Sequence, residues 1–205
     1  MRLIALVFTV MCCAQGHAGG QPAAERLQAL LAPIESMQGQ FSQQQQDANG
    51  VVLTELSQRG QMQVTRQGQI RWIVDGDFGQ QLISDGSTLW FYDPDLEQVT
   101  IQAVNPENDS SPALLLMGDF ERLSNNYRIE QGKAANQFLL YPLLADSLYE
   151  LVQIEFSSGH PNAIKVVDNL GEQTLITLDK VSVNPALEEK LFVFDIPEGV
   201  DVIHN

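Results

Sequence analysis

The chain has 205 residues, 44% of them apolar and 18% charged, with a formal net charge of −15. Length and apolar content suffice for one domain with a substantial core. The acidity argues against nucleic acid, whose phosphates need Lys and Arg, and against charge-driven docking on anionic lipid, which needs basic clusters.

Arg2 is the only charge before Glu25, and residues 3–13 are an almost unbroken apolar run. Gly16-His17-Ala18 then offers small residues at the −3 and −1 positions of a cleavage site, the pattern of a secretory signal peptide. The run is about half the ~20 residues a membrane span needs. Cleavage is expected after Ala18, leaving 19–205 as a single domain. Cys12 and Cys13 fall inside the removed segment, and neither follows the small residue that a lipid-anchoring site requires. The mature protein is therefore expected to rely on packing, without disulfides or a lipid anchor of its own.

Residues 22–37 read as an amphipathic helix, with Leu27, Leu30, Leu31, Ile34 and Met37 on one face and Pro33 ending or kinking it near Ala32. From Phe41 the period changes to two, with a turn at Asp47-Ala48-Asn49-Gly50 and a return strand over 51–56. Turn signals then recur at Gln67-Gly68, Asp75-Gly76, Asp85-Gly86, Asp93-Pro94, Gly132, Gly159 and Gly171. They delimit about ten short strands, which suggests an antiparallel meander curling toward a barrel. Trp72, Trp90, Phe91 and Tyr92 crowd two of these strands, with no nucleophile, base or metal ligand beside them. Such a sheet suits an apolar ligand.

One segment breaks the meander. Ser111 reads as an N-cap, Pro112 as the first helical residue and Gly118 as the stop, around the apolar Leu114, Leu115, Leu116 and Met117. A short helix without a polar face has to be buried on most sides, and across the mouth of a curved sheet it would act as a lid.

No catalytic or metal constellation emerges. His17, His160 and His204 are scattered, and no phosphate-cradling or nucleophile-elbow motif is present. Asp75/Asp77 and Asp93/Asp95 do not extend into a calcium loop and read as turn formers. The expectation is a binding protein without cofactor or metal, and not an enzyme.

The run Asp85-Gly86-Ser87-Thr88-Leu89-Trp90-Phe91-Tyr92-Asp93-Pro94 resembles the periplasmic outer-membrane lipoprotein carrier family, LolA. So do Arg66 to Trp72, the Ser111-Pro112-Ala113-Leu114-Leu115-Leu116 helix and the ending Phe192 to Ile203. The resemblance implies a mainly β fold with short helices: an unclosed antiparallel barrel whose apolar cavity is covered by a helical lid. It also implies a monomeric periplasmic chaperone. Such a carrier takes acylated lipoproteins from an ATP-driven transporter of the inner membrane and hands them to an outer-membrane receptor. A family arginine that latches the lid corresponds by spacing to Arg66. Gln67 and Ile70 stand where the family usually has proline and an aromatic.

On this reading Ile70, Trp72 and Val74, alternating on one strand face, line the cavity. Leu82 joins them, with either Leu89 and Phe91 or Trp90 and Tyr92, and Leu27, Leu30, Leu31 and Ile34 cover another part. The competing reading is a lipid- or lipoprotein-sensing regulatory domain of the same fold.

Overall fold

The computed structural model describes residues 22–77, 79–104 and 120–204, so the expected signal segment and the helix expected at 111–118 lie outside the described residues. The first element, α1 (Ala23–Leu31), buries Leu27 and Leu31. It is shorter than its apolar periodicity. The Ala32 N–H still reaches the Gln28 carbonyl at 2.8 Å, but Pro33 has no N–H to continue the ladder. Ile34 is buried in the connection, and Met37, expected at the end of the helix, lies instead in the first strand.

Among the described residues, twelve strands form one sheet. In chain order they are β1 (Ser36–Gln46), β2 (Val52–Thr65), β3 (Gln69–Val74), β4 (Gln81–Asp85), β5 (Thr88–Asp93) and β6 (Gln98–Ala103). A second helix, α2 (Phe120–Asn126), precedes β7 (Tyr127–Gln131), β8 (Gln137–Pro142), β9 (Tyr149–Ser157), β10 (His160–Asp168) and β11 (Gln173–Val183). A 3-10 turn at Glu189–Phe192 leads to β12 (Asp201–His204). The spatial order is β12-β6-β5-β4-β3-β2-β1-β11-β10-β9-β8-β7, and β7 and β12 form its two edges. Two antiparallel meanders are thus joined by the β1–β11 pair. One pairing departs from the expected meander: β12 runs parallel to β6, with Val202 opposite Val99.

The sheet curls, as the core that both its halves share with α1 shows. Arg66, in the turn after β2, bonds the carbonyl end of α1, while Arg26 near its start bonds the β7–β8 hairpin. Residues of β1–β3 and of β8–β11 pack in one cluster with Leu27 and Leu31 of α1, so both halves of the sheet close on the same helix. The face turned toward α1 carries the main core: Met37, Phe41, Met62, Val64, Ile70, Trp72, Phe138, Ile154, Ile164 and Ile176 pack with Leu27, Leu31 and, from α2, Leu123.

Candidate functional site

Strand register decides which aromatic residues face α1. Trp72 pairs with Leu82, and Leu82 with Phe91; Ile70 pairs with Ser84, and Ser84 with Leu89. Directly paired residues share a face. Ile70, Trp72, Val74, Leu82, Leu89 and Phe91 therefore form one inner strip running from the core toward β5. Trp90 is opposite Ile83, and Ile83 opposite Arg71, which puts Trp90 and Tyr92 on the outer face. Trp90, expected in the cavity set, thus lies on the face opposite Leu89 and Phe91. Both faces of these strands are apolar, so alternation alone could not choose between the two sets.

The outer face has its own cover. The 3-10 turn lies against β3 and β4 and buries Phe192, and Phe194 meets Tyr92 with ring centroids 5.4 Å apart.

Along the inner strip, exposure is greatest at Phe91. Ile70 is fully buried, and Trp72 is buried by stacking on Phe41 at 3.8 Å between centroids. Val74 and Leu82 are half-buried against the core, as is Leu30 of α1. Phe91, further along the same face, is 40% exposed. Leu89 is buried.

The far end of α1 is held from outside. The helix has no basic residue in its last turn. Arg66 supplies the missing cation: its Nη2 donates toward the carbonyls of Ala32 (2.7 Å), Ile34 (2.5 Å) and Leu31 (3.0 Å), the last of which also accepts the Ile34 amide at 2.9 Å, at the negative end of the helix dipole. Its Nη1 pairs with Glu35 at 3.0 Å. Among the described residues, the Nε is buried without a hydrogen-bond partner. The resemblance assigns Arg66 to the 111–118 helix, which lies outside the described residues; the contacts among described residues go to α1 and its exit.

The Asp-Gly turn between β4 and β5 backs this corner. Gly86 has φ +98°, and a Cβ there would lie 2.7 Å from the Gln67 carbonyl oxygen, next to Arg66. Glycine is needed both for the backbone conformation and for this approach. Asp85 accepts from the amides of Ser87 (2.8 Å) and Thr88 (2.7 Å). Burial pushes its carboxyl up, but these amides and the Ser87 hydroxyl outweigh that and hold it below the usual aspartate value.

Sequence reasoning missed two residues of this assembly. Asn184, at φ +57°, accepts from the Glu35 amide at 2.7 Å and donates to the Pro33 carbonyl at 2.8 Å, fixing the exit of α1. Its only sequence signal is the Asn-Pro dipeptide, a turn former. Arg26, at the other end of the helix, carries no sequence signal for its role. Among the described residues, no group of three or more His, Cys, Asp or Glu is placed to hold a metal. None of the helices among them is long and apolar enough to cross a membrane.

Residues 32–195 match the family model "Outer membrane lipoprotein carrier protein LolA". The chain belongs to the LolA family. A Pseudomonas aeruginosa relative named outer-membrane lipoprotein carrier protein is 39% identical over 210 residues, covering all of both chains. A Hahella chejuensis relative of the same name is 35% identical, covering 100% of this chain and 99% of its own. In fold, the chain resembles the crystal structure of an uncharacterized conserved protein from Thermus thermophilus. That likeness has a TM-score of 0.51 at 12% identity, over 89% of this chain and 99% of the other. At that identity it speaks for a shared fold and not for function.

Proposed function

We propose that this LolA-family member is a periplasmic chaperone that binds the acyl chains of lipoproteins released from the inner membrane and delivers them to the outer membrane. The observation that carries the reading is the inner apolar strip, which continues past α1 through Leu82 to a half-open Phe91. Family membership adds the nature of the cargo.

Each CH₂ moved from membrane to water costs ~0.8 kcal/mol, so long acyl chains need an apolar host to cross an aqueous gap. Leu30, Val74, Leu82 and Phe91 offer the accessible part of that host, Ile70, Trp72 and Leu89 form its floor on the sheet, and Leu27, Leu31 and Ile34 face the sheet from α1 and its exit. Leu114, Leu115, Leu116 and Met117 serve as the lid that fills the site when cargo is absent. Arg66 is the latch, and its Nε, without a partner among the described residues, is a donor available to that lid. The source is an ATP-driven releasing transporter, and the acceptor is an outer-membrane lipoprotein receptor.

The test uses spheroplasts exporting a triacylated lipoprotein and, in parallel, a version whose acylated Cys is replaced. Purified mature protein is added, and the soluble fraction is examined for cargo bound to it. Soluble release of the acylated form alone is expected. Release of neither form while the transporter is active would refute the carrier reading and favour a lipoprotein-sensing domain.

A further inference from the structure

Arg26 ties the start of α1 as Arg66 ties its end. Its Nη1 donates to Gln131 Oε1 at 2.5 Å and its Nη2 to the Ala135 carbonyl at 2.5 Å, with the guanidinium 5.9 Å from the Phe138 ring centroid. The acceptors are fixed in advance. Gln131 Nε2 donates to the carbonyls of Ala134 and Gln137, both at 2.7 Å, which leaves its Oε1 free for Arg26. Gln137 Oε1 accepts the Lys133 amide at 2.8 Å, and its Nε2 donates to Glu155 at 2.9 Å, locking the hairpin to β9. Phe138 beneath is fully buried and packs edge-on against Phe156.

The helix so held is weak on its own. It has nine residues, and Pro22 at its N-cap makes no side-chain capping bond. Its position therefore depends on Leu27 and Leu31 below and on a guanidinium at each end. The two ties reach opposite halves of the sheet, the β2–β3 turn and the β7–β8 hairpin.

We propose that Arg26 is a positioning residue for cargo entry: it holds α1 over the inner face in the empty protein, and admission of acyl chains requires its release. This rests on the carrier reading. Any stabilisation of the covered state is subtracted from the net affinity for cargo, because binding has to displace the cover. Arg26 thus weakens retention and favours hand-over, and it acts at the end of α1 away from Arg66. Its hydrogen-bond acceptors are neutral.

Two readouts on Arg26→Ala and Arg26→Lys test this. Hydrogen exchange at the amides of Leu27 to Leu31 is expected to accelerate about tenfold in Arg26→Ala, the loss expected for a charge-assisted tie, while amides of β10 keep wild-type rates. Binding of a fluorescent tripalmitoylated lipopeptide is expected to tighten by a similar factor. Arg26→Lys keeps the charge without the fork and falls between, and it carries the test if the alanine variant does not fold. Unchanged exchange in α1 overturns the tie. Faster exchange with wild-type probe affinity overturns the gating role and leaves Arg26 a structural residue. If the wild-type protein binds no probe, the carrier reading fails and the gate with it; wild-type binding with unmoved variants overturns the role of Arg26 alone.

Discussion

Three carbonyl oxygens at the exit of α1 converge on one nitrogen of Arg66, so two N–H groups serve three acceptors. The Glu35 pair beside them is exposed enough to contribute at most ~1 kcal/mol. The charged donor to the carbonyls matters more. Arg66→Leu is expected to lower stability by ~2 kcal/mol, read in urea unfolding. It should still load acylated cargo but pass it poorly to a receptor, because the covered state it would return to is weakened. Normal transfer by that variant would count against the latch. Asp85 makes a second prediction at this scale. Its carboxyl lies below the ordinary value in the folded protein. The ionised form therefore adds stability at neutral pH, and that contribution is lost as pH falls from about 4 through the lower folded value. Asp85→Asn should cost ~1 kcal/mol at pH 7, and the gap to wild type should close under acid, as followed by urea midpoints across pH.

At the scale of elements, β1, β2 and β3 are pressed together around a missing side chain. Gly60 lies directly opposite Phe41, and a Cβ there would overlap the Ile73 carbonyl oxygen and come within 2.8 Å of the Phe41 ring. The absent side chain lets Phe41 lie over the strand and stack on Trp72. Gly60→Ala is expected to cost ~3 kcal/mol and to disturb the near-ultraviolet circular dichroism of Trp72. The strands themselves were legible, because Asp-Gly and related turns announce their ends and alternation announces their period. Pairings between distant segments were not. Nothing local in β1 says that it joins β11, and β12 pairs in parallel by meeting β6 across the chain. The length of α1 was misjudged for a related reason: apolar spacing continues to Met37, but the backbone stops at Pro33 and the last apolar residue reaches the same core from a strand. Arg26 and Asn184 stayed hidden because their partners lie 105 and 149 residues away.

For the whole molecule, two apolar layers lie on opposite faces of β3–β6, and the carrier reading gives them different tasks. The inner layer, on the α1 side, ends in the half-open Phe91; the outer layer is closed by Phe192 and Phe194 from the C-terminal segment. The outer cover packs on the face that carries Tyr92, so on the carrier reading stability and cargo uptake should separate by mutation. Phe192→Ala empties a fully enclosed site and is expected to cost ~3–5 kcal/mol in urea unfolding, with acylated lipoprotein still released from spheroplasts by the folded fraction. Phe91→Asp changes a side chain already partly in contact with water and should cost ~1–2 kcal/mol, less than Phe192→Ala. It places a carboxylate where acyl chains would lie, and burying that charge without a partner is costly, so release of acylated cargo should fall several-fold. The opposite pattern, with Phe91→Asp harmless to release and Phe192→Ala abolishing it in folded protein, would move the cargo surface to the outer face. Trp90 and Tyr92 would then become its first candidates, because the register turns them that way.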